Sequence, residues 1–409
     1  VLAAVRDIPA ASSVLGPADI PFVQAPFHTQ GIRLPHRLAG YADILLTQGW
    51  ADRSALWGLV HSWLNLFELF EPHMVVLNYS PIARLAARIA GIPAVLVGNG
   101  FELPPATQPL PPFPGFSWAT SARAAESEQQ ALDNANHVLH AFGASCMESL
   151  SELFVAEKTF LTTFPELDHY GPRINADYVG TTLGFLPAER IDWPSEHLGK
   201  SEQKNMRIFA YVRPDTPNVA SILDSLAKSS TTNSASVICF APGFSAQNLE
   251  KVKTPLLRFV SQPVDLPALV SGANVCVAYG EGTAATFLLA GVPLLLVPGH
   301  MEALMAARRV EALGAGLVLQ GEQTSKDISE LLDEVARNPH YQKHAQFFAD
   351  KHRGFDVNRA ANEVVDQLET VLNRTTGTGI SMTNKTAPLL FGAMNRVSPI
   401  SNLSSRDSA

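Results

Sequence analysis

Short apolar runs alternate along most of the chain with longer stretches of helical periodicity, and glycines, prolines or polar clusters separate them. In the first half, residues 1–7 (VLAAVRD), 20–24 (IPFVQ), 73–78 (HMVVLN), 92–97 (IPAVLV) and 158–162 (KTFLT) have the make-up of strands. Residues 8–15, 41–70, 84–90 and 124–155 are predicted helices, the second broken near Gly49 or Gly58 and the third stopped by Gly91. The second half repeats the scheme. Its strands fall at 206–212 (MRIFAYV), 236–240 (SVICF), 256–260 (LLRFV), 274–278 (NVCVA) and 292–297 (VPLLLV), with helices near 217–228, 245–252, 284–290, 325–336, 341–352 and 358–372. Strand and helix in alternation, with strands apolar on both faces, predict parallel sheets covered by helices.

The polar stretch 193–205, with Pro194 and Gly199, marks a boundary. Two domains are expected, at 1–192 and 206–354, with 193–205 as linker and a last helix over 355–373. The tail 374–409 is rich in Ser, Thr, Asn and Gly and is expected to be disordered. Residues 164–192 read as irregular connection, and the proline-rich, aromatic 107–118 as a lid or a surface loop.

Composition narrows the function. A hydrophobic share of 46% against 17% charged residues is that of a globular chain. The net charge of -8 argues against a nucleic-acid binder, which needs a basic stripe. Cys146, Cys239 and Cys276 are widely spaced, which suits neither a disulfide framework nor a zinc site and points to a reducing, cytoplasmic setting. No apolar run is long enough to span a membrane and no signal peptide is seen, although peripheral contact with a membrane stays open. No G-x-G-x-x-G follows a strand with an acid at the right distance, which sets a dehydrogenase aside.

The chemistry concentrates in residues 258–316. Two buried-type strands there flank the loop Tyr279-Gly280-Glu281-Gly282-Thr283 and a helix closed by Gly291 and Pro293. A strand, a glycine turn and a helix N-terminus present free amides and the positive end of a helix dipole, which fit a phosphate. An ordinary βα turn needs the same glycines for backbone freedom alone. Glu281 stands in the cradle, where its charge opposes a phosphate unless it turns outward.

With the upstream Gln262-Pro263-x-Asp265-Leu266 and the downstream Pro298-Gly299-His300-Met301-Glu302, this order resembles the nucleotide-sugar half of bacterial family 1 glycosyltransferases. Gly280, Gly282, Thr283, Gly291, Val292, Pro293, Pro298 and Glu302 match that family's run. Three positions depart: the family's histidine falls on Ala278, its ribose-binding glutamate on Thr286 and its sugar-binding glutamine on Ala303. A glycine of the family also falls on Tyr279.

The resemblance implies an α/β chain of two doubly wound, Rossmann-like domains facing across a cleft, the GT-B fold, with the last helix returning to the first domain. It also implies a chain lacking its first N-terminal strand and loop, where the usual catalytic base resides. The implied activity is sugar transfer from a nucleoside-diphosphate donor to a small-molecule or lipid acceptor, with no cofactor and no metal. Gly280, Gly282 and Thr283 would hold phosphate, Pro263 and Val264 would flank the base, and His300 and Glu302 would meet the sugar. Arg213 either neutralises phosphate or pairs with Asp215. On the acceptor side the loops 26–35, 78–80 and 98–102 follow strands and so face the ligand edge. They supply His28 or Glu102 as base, and Asn78, Tyr79 and Asn99 as acceptor contacts or strand-end caps. Two other readings are a homologue that binds a sugar nucleotide or partner without transfer, motivated by the three departures, and a nucleotide-sugar epimerase.

Overall fold

The computed structural model describes residues 1–182, 190–195 and 206–377. The chain divides into two compact units. One is Val1–Thr182 with the helix Val357–Thr376, and the other lies within Leu183–Asp356. Most of the stretch read as linker (196–205), and the tail from 378 on, lie outside the described residues.

In the first unit, β1 (Ala3–Val5) pairs in parallel with β2 (Phe22–Gln24). Then β3 (Val75–Leu77), β4 (Ala94–Gly98), β5 (Lys158–Leu161) and β6 (Asp177–Tyr178) form a second parallel sheet in that order. β4 is buried along its whole length, as its unbroken apolar run requires. The preceding helix, Pro81–Ala90, starts on a proline, which fits the first turn, and ends at Gly91. It buries Ile82, Ala83, Leu85, Ala86 and Ala87 in the unit's core.

The second unit holds β7 (Arg207–Tyr211), β8 (Ser236–Phe240), β9 (Leu257–Val260), β10 (Val275–Ala278), β11 (Leu294–Leu296) and β12 (Gly316–Val318). They are ordered β12-β11-β10-β7-β8-β9, every pairing parallel. Numbered from β7 as the first, this is the 3-2-1-4-5-6 order, whose progression reverses between β7 and β10. Loops from the carboxyl ends of those two strands diverge to opposite sides, and the gap between them is where such sheets bind ligands. Phe287 of helix Glu281–Leu289 stacks on Phe209 of β7 at 5.0 Å, an aromatic pair worth about 1 kcal/mol beyond its burial. That contact fixes the helix against the sheet beside the reversal. Cys239 and Cys276 are buried strand thiols, as their runs implied, and Cys146 is exposed.

Several boundaries differ from those expected. The helix after β10 begins at Glu281 and not at Ala284, because extended Gly280 serves as its N-cap and Glu281 sits favourably at the dipole's positive end. The long helix read at 41–70 breaks at Gly49, through a π-helical turn Leu46–Trp50, and runs unbroken through Gly58. Gly49 has φ 97, which only glycine adopts readily, whereas Gly58 merely occupies a turn of helix. The helix read at 124–155 is Ser121–Ala141, ended by Gly143 at φ 69, followed by a separate 3-10 turn Leu150–Phe154. The final helix continues to Thr376, three residues into the segment read as disordered.

Candidate functional site

The second unit gathers its site at the reversal of the sheet. Gly280 (φ −134, ψ 165) leads into helix Glu281–Leu289, and its carbonyl accepts from the Ala284 amide at 3.1 Å. Gly280 brings no side-chain cap to this end, and the first-turn amides have no intrahelical acceptor to meet. A Cβ built on Gly280 would find no atom of the described residues within 4 Å. Thr283 in the first turn is buried, and Thr286 turns its hydroxyl back onto the Gly282 carbonyl at 2.9 Å. Ala278 and Ala303, which replace two polar residues of the resembled family, are both buried.

After β11, His300 caps helix Met301–Ala312 by accepting from the Ala303 amide on Nδ1 at 3.3 Å. With Nδ1 an acceptor, the hydrogen-bond pattern assigns the ring proton to Nε2, which leaves a donor for an oxygen. Glu302 places Oε2 3.6 Å from that Nδ1. After β7, Arg213 sets Nε 3.4 Å from Asp215 and its guanidinium carbon 5.8 Å from the centre of the Tyr279 ring. Burial opposes the Arg213 charge, but the Tyr211 hydroxyl and then Asp215 and Tyr279 outweigh it and raise its pKa. Arg213 thus pairs with Asp215 in the loop after β7. Pro263 and Val264 follow β9, two strands farther along the same edge.

Tyr279 is the residue that sequence reasoning passed over, noted only where a glycine was expected. Its hydroxyl donates to Asp215 at 3.3 Å, and its ring meets His300 edge-on at 5.7 Å and Tyr211 at 5.7 Å. Burial, then Asp215, push its phenol pKa well up, which favours the neutral, donating form.

In the first unit the loops after β3 and β4 meet. The Glu102 carboxylate accepts from Asn78 Nδ2 at 3.1 Å and from the Asn99 amide at 3.0 Å. Asn99 Oδ1 in turn accepts from the Phe101 and Glu102 amides, and Asn78 Nδ2 also donates to the Val97 carbonyl. These bonds make the two loops one piece, so Glu102, Asn78 and Asn99 have structural work whatever else they contact. Tyr79, at φ 43, is in the left-handed region that non-glycine residues seldom adopt, and Gln48 donates to its hydroxyl at 2.9 Å. Gln48 lies in the π-helical turn, as does Gly49, against which the His28 ring packs. One irregular turn therefore positions both His28 and Tyr79, in keeping with the use of π turns at functional sites. His28 Nδ1 is buried and has no hydrogen-bond partner among the described residues.

Two buried carboxylates with no assigned chemistry support this region. Asp43 accepts from the Ala39 and Gly40 amides at 2.6 and 3.2 Å and lies 2.9 Å from His36 Nε2. Asp168 accepts from the Tyr170 amide, from Arg173 Nη2 and from the Tyr178 hydroxyl at 3.0, 3.1 and 2.8 Å. Arg173 Nη2 also donates to the Gly100 carbonyl at 3.2 Å, which ties the Asp168 hub to the loop after β4. Residues 168–178, part of the stretch read as irregular connection, are thus organised around one charge.

Burial, then Asp168, push the Tyr178 phenol from 10.0 to about 12. The folded chain holds that proton more tightly than the unfolded chain does. The associated stability is therefore fully present below pH ~10 and is lost as pH rises through about 12. Alkaline denaturation of Tyr178→Phe should show a shallower fall across that window. An unchanged slope would remove Tyr178 as its source.

The fold is that of GT-B glycosyltransferases. Glycosyltransferase VinC, solved with dTDP, superposes with a TM-score of 0.60 at 17% identity, over 90% of this chain and 91% of that one. The calicheamicin glycosyltransferase CalG4 gives 0.63 at 17%, over 90% of each chain. The spinosyn rhamnosyltransferase SpnG, solved with spinosyn aglycone, gives 0.57 at 17%, over 90% and 91%. No curated protein matches the chain by sequence comparison. Residues 234–371 match the erythromycin biosynthesis protein CIII-like C-terminal domain, the segment that carries the cradle. The domain and the fold agree with the resemblance in the motif: a GT-B fold whose second unit carries an erythromycin biosynthesis protein CIII-like C-terminal domain.

Proposed function

We propose that this protein moves a sugar from a nucleoside diphosphate to the hydroxyl of a small-molecule acceptor, without a metal or cofactor. The carrying observation is the helix N-terminus at Gly280, with no side-chain cap from that residue, opening where the sheet order reverses and inside the segment that matches the family. The first-turn amides of Gly282 and Thr283 would take the diphosphate, with Arg213 adding a positive charge and Pro263 and Val264 beside the base. His300 would donate from Nε2 and Glu302 accept, both to sugar hydroxyls.

On the acceptor side His28 or Glu102 would take the hydroxyl proton as the acceptor oxygen attacks the anomeric carbon and the bond to the diphosphate breaks. The charge that develops on the leaving group would be met by the helix dipole. Asn78, Tyr79 and Asn99 would contact the acceptor. VinC with dTDP and SpnG with spinosyn aglycone support this choice of ligands, a thymidine nucleotide on one side and an aglycone on the other. Among the described residues no helix is long and apolar enough to cross a membrane. The reading places the chain in the cytoplasm, where its unpaired thiols would stay reduced.

The buried alanines at 278 and 303 and the self-bonded Thr286 favour a second reading, binding without transfer. Incubation with thymidine- and uridine-diphosphate sugars and a panel of aglycones, with a chelator present, separates the two. Release of nucleoside diphosphate that depends on acceptor is expected. Binding without release would leave the second reading, and release without any acceptor would point to hydrolysis.

A further inference from the structure

Three loops leave the carboxyl ends of adjacent strands β7, β10 and β11, and one side chain of the middle loop touches the other two. Tyr279 directly follows β10. Its hydroxyl bonds Asp215 and its ring underlies Arg213, both in the loop after β7. On the other side it meets His300 edge-on in the loop after β11. It also lies against Gly299: a Cβ built there would stand 2.7 Å from the Tyr279 hydroxyl oxygen and 2.7 Å from a ring carbon, closer than packed atoms approach. Gly299 is therefore required by the ring and not by its own backbone.

We propose that Tyr279, seated against Gly299, is a positioning residue that holds Arg213 and His300 on either side of the helix start at Gly280, spaced for a nucleoside diphosphate. The proposal rests on the donor site described above and goes beyond it by assigning its alignment to this pair. Without the ring, Arg213 keeps Tyr211 and Asp215 as partners and turns toward them. A guanidinium so paired offers less to a phosphate.

The test is a cycle of variants of the full chain, titrated calorimetrically with dTDP and with thymidine. Tyr279→Phe keeps the ring and should bind dTDP within about threefold of the parent, because it loses only the long bond to Asp215. Tyr279→Gly should lose about tenfold in dTDP affinity, the combined size of its ring contacts with Arg213 and His300, with little change for thymidine. Gly299→Ala should show a similar loss, since its Cβ displaces the ring. Added to Tyr279→Gly, the same Gly299→Ala change should cost nothing more, because the clash is gone.

Unchanged dTDP affinity in Tyr279→Gly, or losses that simply add in the double variant, would overturn the proposal. So would an equal loss for thymidine, which would mark general disruption instead of alignment. Failure of the parent itself to bind dTDP would instead sink the donor site on which the proposal rests.

Discussion

Gly280→Asp is expected to lower affinity for a nucleoside diphosphate roughly a hundredfold while leaving the fold intact. The backbone at this position is extended, and a side chain there meets open space. Aspartate is among the best N-cap residues, so the helix should gain a few tenths of a kcal/mol over glycine. The new carboxylate would accept from the first-turn amides, occupying the donors a phosphate needs and repelling its charge. Loss of charge-assisted hydrogen bonds amounting to about 3 kcal/mol corresponds to that hundredfold. Few substitutions separate binding from stability so cleanly: calorimetry should show weaker binding, and thermal melting an equal or higher midpoint. A lower midpoint would mean that the end of helix Glu281–Leu289 is not as described, and unchanged affinity would remove the cradle.

Asp168→Ala should destabilise the first unit by about 3–5 kcal/mol, the cost of leaving a buried cation without its partner. Arg173 would keep its charge with only 16% of its side chain exposed, and the Tyr178 hydroxyl and Tyr170 amide would lose their acceptor. Asp168→Asn, which preserves shape and part of the bonding, should lose less. Tryptophan emission during denaturation reads this unit well, since Trp50, Trp57, Trp63 and Trp118 all lie in it. A shift of the midpoint by less than about 1 kcal/mol would show that the hub is not what holds the segment. The change should reach the loop after β4 as well, because Arg173 bonds the Gly100 carbonyl and a Cβ on Gly100 would clash with Asp168 Oδ1.

What the sequence made legible follows from how far each contact reaches along the chain. The helix Ile8–Leu15 could be read because its cap, Asp7, and its proline are adjacent to it. The strands β7, β8, β10 and β11 could be read because burial on both faces demands an unbroken apolar run. β12 opens on Gly316 just after Gly314 and Ala315, small residues that read as turn, and its pairing with β11 defines it. The start of the helix at Glu281 was hidden because glycine and glutamate resemble loop in composition, while the geometry uses them as cap and first turn.

The site divides along the same line. The glycine and threonine of the cradle and the histidine after β11 are local to the motif, and their positions were readable. The bond from Tyr279 to Asp215 spans 64 residues and that from Arg173 to the Gly100 carbonyl 73, and no local pattern announces either. The π turn that seats His28 and Tyr79 was visible only as a glycine inside an apolar helix.

The central claim is that the amides at the start of helix Glu281–Leu289 seat a diphosphate. Side-by-side calorimetric titration of the intact protein with dTDP and thymidine tests it most directly. The account predicts saturable binding of dTDP, tighter than thymidine by roughly a hundredfold, the size of the charge-assisted contacts a nucleoside lacks. Should dTDP bind no better than thymidine, the turn after β10 is an ordinary connection and the donor site lies elsewhere.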